Sequence, residues 1–339
     1  MVEVPVPRHR YSRYLVIGCS MSHCLRPLTI VNPHWNPKRV SGRVNLNRWR
    51  SLHPLQAYPE DFEITVPCNR CSGCNRDRAL SWRVRLLHEH MYGNHTTCIP
   101  LTLTIAPKHL HEFKTKESQA SAIRAFFDRL RHYCPERRVP KHFIVSELGE
   151  ERDRLHFHGI LWDVDLTERQ IRNSWMYGFI RKRPFRSVRQ ISYVSTYITK
   201  PGHDWFFPRV YVTPGLGKGY TERTDFRAWH SSAGLDTPIN YCVKFEHFTY
   251  PLPRYYREKL FSDAQISDFK ECLSRPDRPF KKVLGKQTYT TEQSYNVARK
   301  TLLEVSVRKK TSKPLTTFIY ESTTELLQGF SFGAEEFEI

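Results

Sequence analysis

The chain has 339 residues, enough for a sizeable core in one large domain or two ordinary ones. A hydrophobic fraction of 39% and an aromatic fraction of 13% describe a folded globular chain, whereas a formal net charge of +19 and a pI near 9.6 point to a polyanionic partner, nucleic acid first. There is no long apolar span, signal-peptide pattern or lipid-anchor motif, so no membrane partner is expected, and the nine scattered cysteines argue for reduced thiols or metal ligands over a disulfide scaffold.

Residues 1–60 are rich in Pro, Arg and Asn and lack sustained periodicity. They include Tyr14–Ile17 and the pair Cys19-x4-Cys24, and read as an irregular extension. Pro67–Cys74 follows, with Cys68, Cys71 and Cys74 at two-residue gaps, a spacing that lets neighbouring thiolates converge on one tetrahedral zinc ion. A structural site needs a fourth ligand, for which Cys24 is the first candidate and Cys19 or His23 substitutes. The competing expectation is three reduced cysteines in a turn. Leu80, Val84, Leu87 and Met91 then recur at helical spacing, with Arg76, Arg78, Arg83 and Arg85 around them, as an amphipathic helix whose basic face meets solvent or phosphate.

Cys98–Ile105 reads as a strand, ended by Ala106-Pro107. Ile123, Phe126, Phe127 and Leu130 mark a helix from about Ser118 to Tyr133, stopped by Cys134-Pro135. His142–Glu147 and Leu155–Trp162 are strands joined by a short charged turn, hence an antiparallel hairpin. Thr167–Trp175 is a short helix with Asp165 or Thr167 as its cap, and Tyr177–Arg181 a further strand. The order βαββαβ with antiparallel neighbours predicts an α+β sandwich of the ferredoxin-like type.

In Leu155–Trp162, period-two alternation turns Leu155, Phe157 and Leu161 into a core and projects His156 and His158 from the other face. Two such imidazoles are either unrelated or share a metal ion. Glu147, at the end of the paired strand, can reach the same face and complete a two-histidine, one-carboxylate set with open positions. In Ser187–Lys200, Val188, Ile191, Val194 and Ile198 form an apolar stripe, and Tyr193 and Tyr197 lie at i and i+4, with Lys200 near the same edge. Paired phenols on a helix are ordinarily packing; beside a metal on a sheet face they become candidate nucleophiles for a phosphate.

Trp82-Arg83 after the cysteine triplet, Leu101–Thr104 (L-T-L-T), Ser146–Gly149 (S-E-L-G), Arg154–Trp162 (R-L-H-F-H-G-I-L-W) and Tyr193–Lys200 (Y-V-S-T-Y-I-T-K) resemble the motifs of replication initiation proteins of the microviruses, small single-stranded-DNA phages, and of their gokushovirus branch above all. That family belongs to the HUH endonucleases, named for His-hydrophobic-His. Pro214–Gly217 and Leu252–Tyr256 resemble its later motifs, so the similarity runs from about Cys68 to Leu260. The resemblance implies an HUH endonuclease core with a central antiparallel sheet of ferredoxin/RRM-like type flanked by helices, behind a Cys-rich N-terminal extension.

It further implies a rolling-circle initiator that nicks origin DNA through a 5′-phosphotyrosine link and later rejoins the displaced strand. On that likeness His156, His158 and Glu147 hold Mg²⁺ or Mn²⁺, Tyr193 and Tyr197 are alternating nucleophiles, and Lys200 follows the second tyrosine as in relatives. The chain departs from the commonest pattern in having Leu155 where relatives often have Pro, and in following Lys200 with Pro201 instead of a second lysine. The implied partners are viral origin DNA and the host replication helicase and polymerase, in the cytoplasm of the bacterial host.

Arg181, Lys182, Arg183, Arg186 and Arg189 crowd the approach to the tyrosine helix, as a solvated run or a phosphate-binding groove. Pro201–Tyr220 reads as a loop rich in Pro, Gly and aromatics, Ser262–Leu273 and Glu292–Leu303 as helices, and the terminus with Glu321, Glu325, Glu335, Glu336 and Glu338 as an acidic tail. The expected division is residues 1–75 (extension with the cysteine segment), 76–260 (endonuclease domain) and 261–339 (C-terminal region). Two other readings remain at this point: a zinc-dependent DNA-binding protein without catalysis, and a non-haem iron oxygenase built on the His/His/carboxylate set.

Overall fold

The computed structural model describes residues 24–31, 63–149, 154–199, 206–232, 237–245, 248–275, 282–284 and 287–308. In chain order the elements are β1 (Leu28–Val31), β2 (Glu63–Val66), α1 (Ser72–Tyr92), β3 (Cys98–Thr104), α2 (Lys116–Leu130), β4 (His142–Leu148), β5 (Leu155–Trp162), α3 (Glu168–Trp175), β6 (Ile180–Lys182), α4 (Val188–Thr196), β7 (Val210–Val212), α5 (Lys218–Glu222), α6 (Thr224–Ser231), β8 (Cys242–Phe245), β9 (Phe248–Pro251), α7 (Arg254–Leu260), α8 (Asp263–Ser274), β10 (Lys282–Leu284), β11 (Gln287–Tyr289) and α9 (Glu292–Arg308). Tyr14–Ile17, Cys19, His23, Lys200 and the acidic tail lie outside the described residues.

A five-stranded antiparallel sheet in the order β6-β3-β5-β4-β7 is the centre of the fold. The predicted βαββαβ succession is present from β3 to β6, with β7 added beside β4. The two helix-linked strand pairs interleave: α2 joins β3 to β4 with β5 between them, and α3 joins β5 to β6 with β3 between them.

The sheet is covered on both faces. On one, Ile99, Leu101, Leu103, Ile144, Leu155, Phe157 and Leu161 meet Phe126, Phe127 and Leu130 of α2 and Ile171 and Trp175 of α3. Each such side chain taken fully out of water contributes about 1.5–3 kcal/mol. On the other, Phe143, Val145, Ile160 and Trp162 meet Ala79 and Leu86 of α1 and Ile191 and Val194 of α4. A third cluster joins Val84 of α1 to Tyr220, Val243, Tyr250, Tyr256 and Phe269 in the C-terminal half.

Local chemistry sets the helix ends. Thr167 caps α3 in a capping box with Gln170, and Ser262 caps α8 in another with Gln265. The tyrosine helix is shorter than its apolar period predicts. Ser195, Thr196 and Thr199 each donate a side-chain hydroxyl to the carbonyl three residues back, all at 2.7 Å, and Ile198 and Thr199 make the tighter i→i−3 backbone bonds, so α4 gives way to a turn at Tyr197. Val188, expected in the apolar stripe, is exposed on the first turn.

The basic face predicted for α1 is not a solvated one. Arg83 is buried, Arg85 donates to the Leu216 carbonyl at 2.7 and 3.0 Å between the rings of Trp82 and Tyr255, and Arg78 donates to the Pro208 carbonyl at 2.9 Å. Burial lowers the pKa of all three guanidiniums, and of Arg76. A helical-wheel reading misses this because α1 is covered by the sheet on one side and by the C-terminal half on the other. Met91, assigned to the apolar stripe, is exposed instead, and Glu89 is buried.

Glu89 anchors α1. Its carboxylate accepts from Lys141 Nζ and His95 Nε2, each at 2.7 Å, and from the Gly217 amide, while His95 Nδ1 meets Asp163 at 2.6 Å. Burial by itself would raise the Glu89 pKa, but the bonds from His95, Lys141 and Gly217 bring it down to about 2. Replacement Glu89→Ala, which strands Lys141 and the Gly217 amide, is expected to destabilise the fold by about 3–5 kcal/mol in urea unfolding, and a loss under 1 kcal/mol would show that the clamp does not hold α1.

His88 is buried too, stacked 3.8 Å from Tyr220 and bonded to the Tyr256 hydroxyl at 3.1 Å. Burial, with His230 adding to it, lowers its pKa to about 3; burial also lowers His142 to about 4 against an opposing bond to the Pro140 carbonyl. Both folded values lie below that of a free imidazole, so unfolded chains take up protons that the folded chain refuses. The contribution is intact above about pH 6.5 and is lost as pH falls toward 3–4, by up to about 1.4 kcal/mol per pH unit per histidine. The urea midpoint should therefore drop between pH 7 and pH 5; a midpoint that holds or rises would contradict the burial of neutral histidines.

Candidate functional site

The register of the central strands builds the site. His158 faces Thr102 on one neighbour and Val145 on the other, and His156 faces Thr104 and Glu147. Directly paired residues share a face, so both histidines, both threonines and Glu147 project from the side covered by α1 and α4. Leu155, Phe157 and Leu161 fill the opposite face, as their alternation predicts.

His158 is held from three directions. Its Nε2 donates to Glu147 Oε2 at 2.6 Å, its Nδ1 meets the Thr102 hydroxyl at 3.3 Å, and the Tyr197 ring stacks on it, 3.6 Å between centroids and 8° from parallel. Glu147 is buried, an unusual place for a carboxylate at a hairpin end. The His156 ring lies 6.3 Å from that of His158 and against Gly149, where any Cβ would come within 2.9 Å of its Cε1. Glycine at 149 is thus what leaves room for this imidazole.

The two tyrosines are not equivalent. Tyr193 is 53% exposed and Tyr197 8%, their rings meeting edge to face at 5.2 Å. Burial raises the Tyr197 pKa, the contact with Tyr193 and the Glu147 charge raise it further, and Arg183 opposes them. Among the predicted cations, Arg181 pairs with Thr102 and so lies in the His158 row on the same face, exposed, with exposed Arg183, Arg186 and Arg189 following in the chain. Lys182 falls on the opposite face, paired with Leu101, and donates to the Leu166 carbonyl at 2.6 Å. The strand's own alternation separates it from the other four. Thr102 was not singled out in the sequence, although the L-T-L-T alternation already assigned it to the face away from the core.

A second constellation lies at the start of α1. The Sγ atoms of Cys24, Cys68, Cys71 and Cys74 all fall within 4.8 Å of one another, the one such metal-type cluster among the described residues. The separations Cys71–Cys74 at 3.5 Å, Cys68–Cys74 at 3.9 Å and Cys24–Cys71 at 3.9 Å suit tetrahedral thiolates, which at a Zn–S bond of about 2.3 Å sit about 3.8 Å apart. Backbone N–H groups of Leu25 and Cys68 donate to Cys71 and Cys24 at 3.2 Å, the contacts that favour thiolate charge. The hydrogen bond from Cys74 leads in lowering the Cys71 thiol to about 4; the same contact, with burial, raises Cys74, and burial raises Cys24. Every described cysteine is free. Four converging thiols with shared protons can hold a zinc ion, and Cys24 takes the fourth place. The division at residue 75 falls inside the first turn of α1, so the cysteine segment and the helix are continuous.

Residues 98–202 match a family model of replication-associated proteins, the ORF2 and gene-2-protein family, over a stretch that runs from β3 through the tyrosine helix and contains both histidines, Glu147 and both tyrosines. Over these residues the chain is similar to that family; no curated protein and no solved structure matches it.

Full-length protein from zinc-supplemented cells is expected to carry about one zinc per chain by elemental analysis. Cys71→Ser should lose the metal and unfold at lower temperature, while Cys98→Ser should keep it. Metal-free wild type, or a Cys71→Ser protein that retains zinc, would remove the thiols from that role.

Proposed function

We propose that the chain is a viral replication initiator that nicks and rejoins origin DNA, with the HUH type of endonuclease core. The observation that carries the reading is the stack of Tyr197 on His158, whose Nε2 is held by a buried Glu147, with Tyr193 exposed alongside. The match over residues 98–202 to a replication-associated family supports the same class, as does the +19 charge.

In this reading a tyrosine oxygen attacks the scissile phosphorus. The bond from phosphorus to the 3′ oxygen breaks, the 3′ oxygen takes up a proton as a primer hydroxyl, and the phenol's proton goes to solvent or a neighbouring base. The product is a 5′-phosphotyrosine ester, and attack on it by a 3′ hydroxyl reverses the exchange and seals the strand. His156, His158 and Glu147 form a nitrogen and oxygen donor set suited to Mg²⁺ or Mn²⁺, which would polarise the phosphate when bound. The four sulfurs form a different site, suited to zinc and to holding the start of α1. Exposed Tyr193 is the phenol an incoming strand meets first, and buried Tyr197 serves the second exchange. Lys200, Arg181, Arg183, Arg186 and Arg189 are assigned to the DNA path, and Lys182 to the fold. Viral origin DNA, and the host helicase and polymerase that use its 3′ end, are the partners, and the cytoplasm of the bacterial host is the site of action. No helix among the described residues is long and apolar enough to cross a membrane.

The test is a covalent adduct. Full-length protein with Mn²⁺ and a 5′- and 3′-labelled single-stranded origin oligonucleotide should give a protein-linked 3′ fragment on a denaturing gel. Tyr193→Phe should reduce the first cleavage by about 10²-fold or more, whereas Tyr197→Phe should leave the first cleavage and block transfer to a second strand. DNA binding with no adduct on any origin sequence would favour the zinc-dependent binding protein, the reading that the four-thiol cluster by itself supports. An adduct that survives both substitutions together would remove the tyrosines from the chemistry.

A further inference from the structure

The edge of the sheet next to the histidines carries a feature with no role in the fold. Phe179 is 79% exposed, higher than any other large apolar side chain among the described residues. An apolar ring left in water on a mobile loop would mean little. This one is fixed: Thr104 donates to the Phe179 carbonyl from its amide at 2.8 Å and from its hydroxyl at 3.0 Å, and Ala106 donates to the Tyr177 carbonyl at 2.8 Å. Between them Gly178 lies so close to β3 that a Cβ would come within 2.5 Å of the Thr104 carbonyl oxygen. The backbone at Phe179 therefore continues the β3–β6 ladder, and the ring is held out from it.

The register then says where the ring stands. Arg181 pairs with Thr102, and the bonds just described set Phe179 beside Thr104, in the row that crosses the sheet to His156 and Glu147. Phe179 and Arg181 occupy alternate positions of the edge strand and share the histidine face. Ile180, between them, packs into the core with α3. Exposed Arg183 and Arg186 continue the same segment toward the tyrosine helix. An exposed aromatic flanked by exposed guanidiniums suits one kind of ligand: a chain of flat bases joined by phosphates, unpaired so that a base face is available.

We propose that Phe179 is a stacking platform for a base of single-stranded DNA entering the tyrosine–histidine site, with Arg181 and Arg183 meeting the adjoining phosphates. The proposal deepens the DNA-nicking reading and rests on it for the strand's path, but concerns binding and not cleavage. A base seated on Phe179 would fix how far the strand extends before its scissile phosphate reaches Tyr193, and so would contribute to the choice of the cut position.

The experiment uses full-length protein, a fluorescent oligothymidylate, and salt titration of the binding constant. Phe179→Ala should weaken binding by about 5- to 150-fold, the range for one stacked base, without changing the salt slope. Phe179→Tyr should bind like wild type, and Arg181→Ala should weaken binding and reduce the slope by about one counterion. Phe179→Trp should add fluorescence quenching on oligothymidylate beyond that of the parent protein. A Phe179→Ala protein that binds within twofold of wild type, a loss that tracks the salt slope, or a tryptophan at 179 unquenched in a saturated complex would each overturn the platform. Wild type that fails to bind the oligonucleotide overturns it as well. Wild type that binds through Phe179 yet forms no covalent adduct leaves the platform standing and removes only the nicking chemistry.

Discussion

The register of β5 between β3 and β4 is the constraint on which the remainder of the molecule depends. This central strand is buried on both faces, so its period-two alternation has no freedom: Leu155, Phe157 and Leu161 enter one core, and His156 and His158 must occupy the other side. A slip by one residue would place both imidazoles among Phe126, Phe127 and Trp175 and turn the core residues outward. The sheet thus fixes the histidines, Thr102, Thr104, Glu147 and Arg181 as a rigid array before any side-chain interaction is considered. Conversely, the triad of contacts at His158 is satisfied only in the observed register, since Glu147 and Thr102 come from the two flanking strands. Core packing and site geometry therefore select the same pairing.

Helix α1 carries the second level of organisation. It is a basic helix whose charges are mostly spent inside the molecule: Arg78 and Arg85 bind loop carbonyls at Pro208 and Leu216, and Glu89 gathers Lys141, His95 and the Gly217 amide. Through these bonds α1 ties the sheet to the C-terminal half, whose aromatic cluster of Tyr220, Tyr250 and Tyr256 packs on its far side. Such buried charge is retained only when fully partnered, which makes the helix position specific as well as stable. The thiol cluster acts at the other end of the same helix, where Cys71 and Cys74 in the first turn meet Cys24 beside β1 and Cys68 after β2. A metal there would fasten the β1–β2 ribbon to the helix that covers the histidine face.

The arrangement also separates two demands that often conflict. The donors and the second phenol are buried and ordered, while Tyr193, Phe179 and the arginines of the β6–α4 segment stand in water, where a strand can reach them. Stiffness comes from the strands and from Thr104 and Gly178, which anchor the edge; accessibility comes from the position of β6 at the end of the sheet.

The order of the elements and the facing of Leu155–Trp162 were legible in the sequence because both follow from short-range periodicity, which local sterics impose on any strand or helix. The cysteine spacing and the Thr167 cap were legible for the same reason. The shorter tyrosine helix was hidden by its apolar period, although the hydroxyls of Ser195, Thr196 and Thr199 that close it are local. Other features depend on partners far away in the chain: the burial of the α1 arginines, the diversion of Lys182 to the Leu166 carbonyl, the unequal exposure of Tyr193 and Tyr197, and the approach of Thr102 and Glu147 to His158. Their physical reason is common to all of them. A side chain's solvent exposure and hydrogen-bond partner are set by what the fold brings against it, so the sequence alone determined which residues share a face, and the tertiary structure decided which of those faces meets water and which of those residues meet one another.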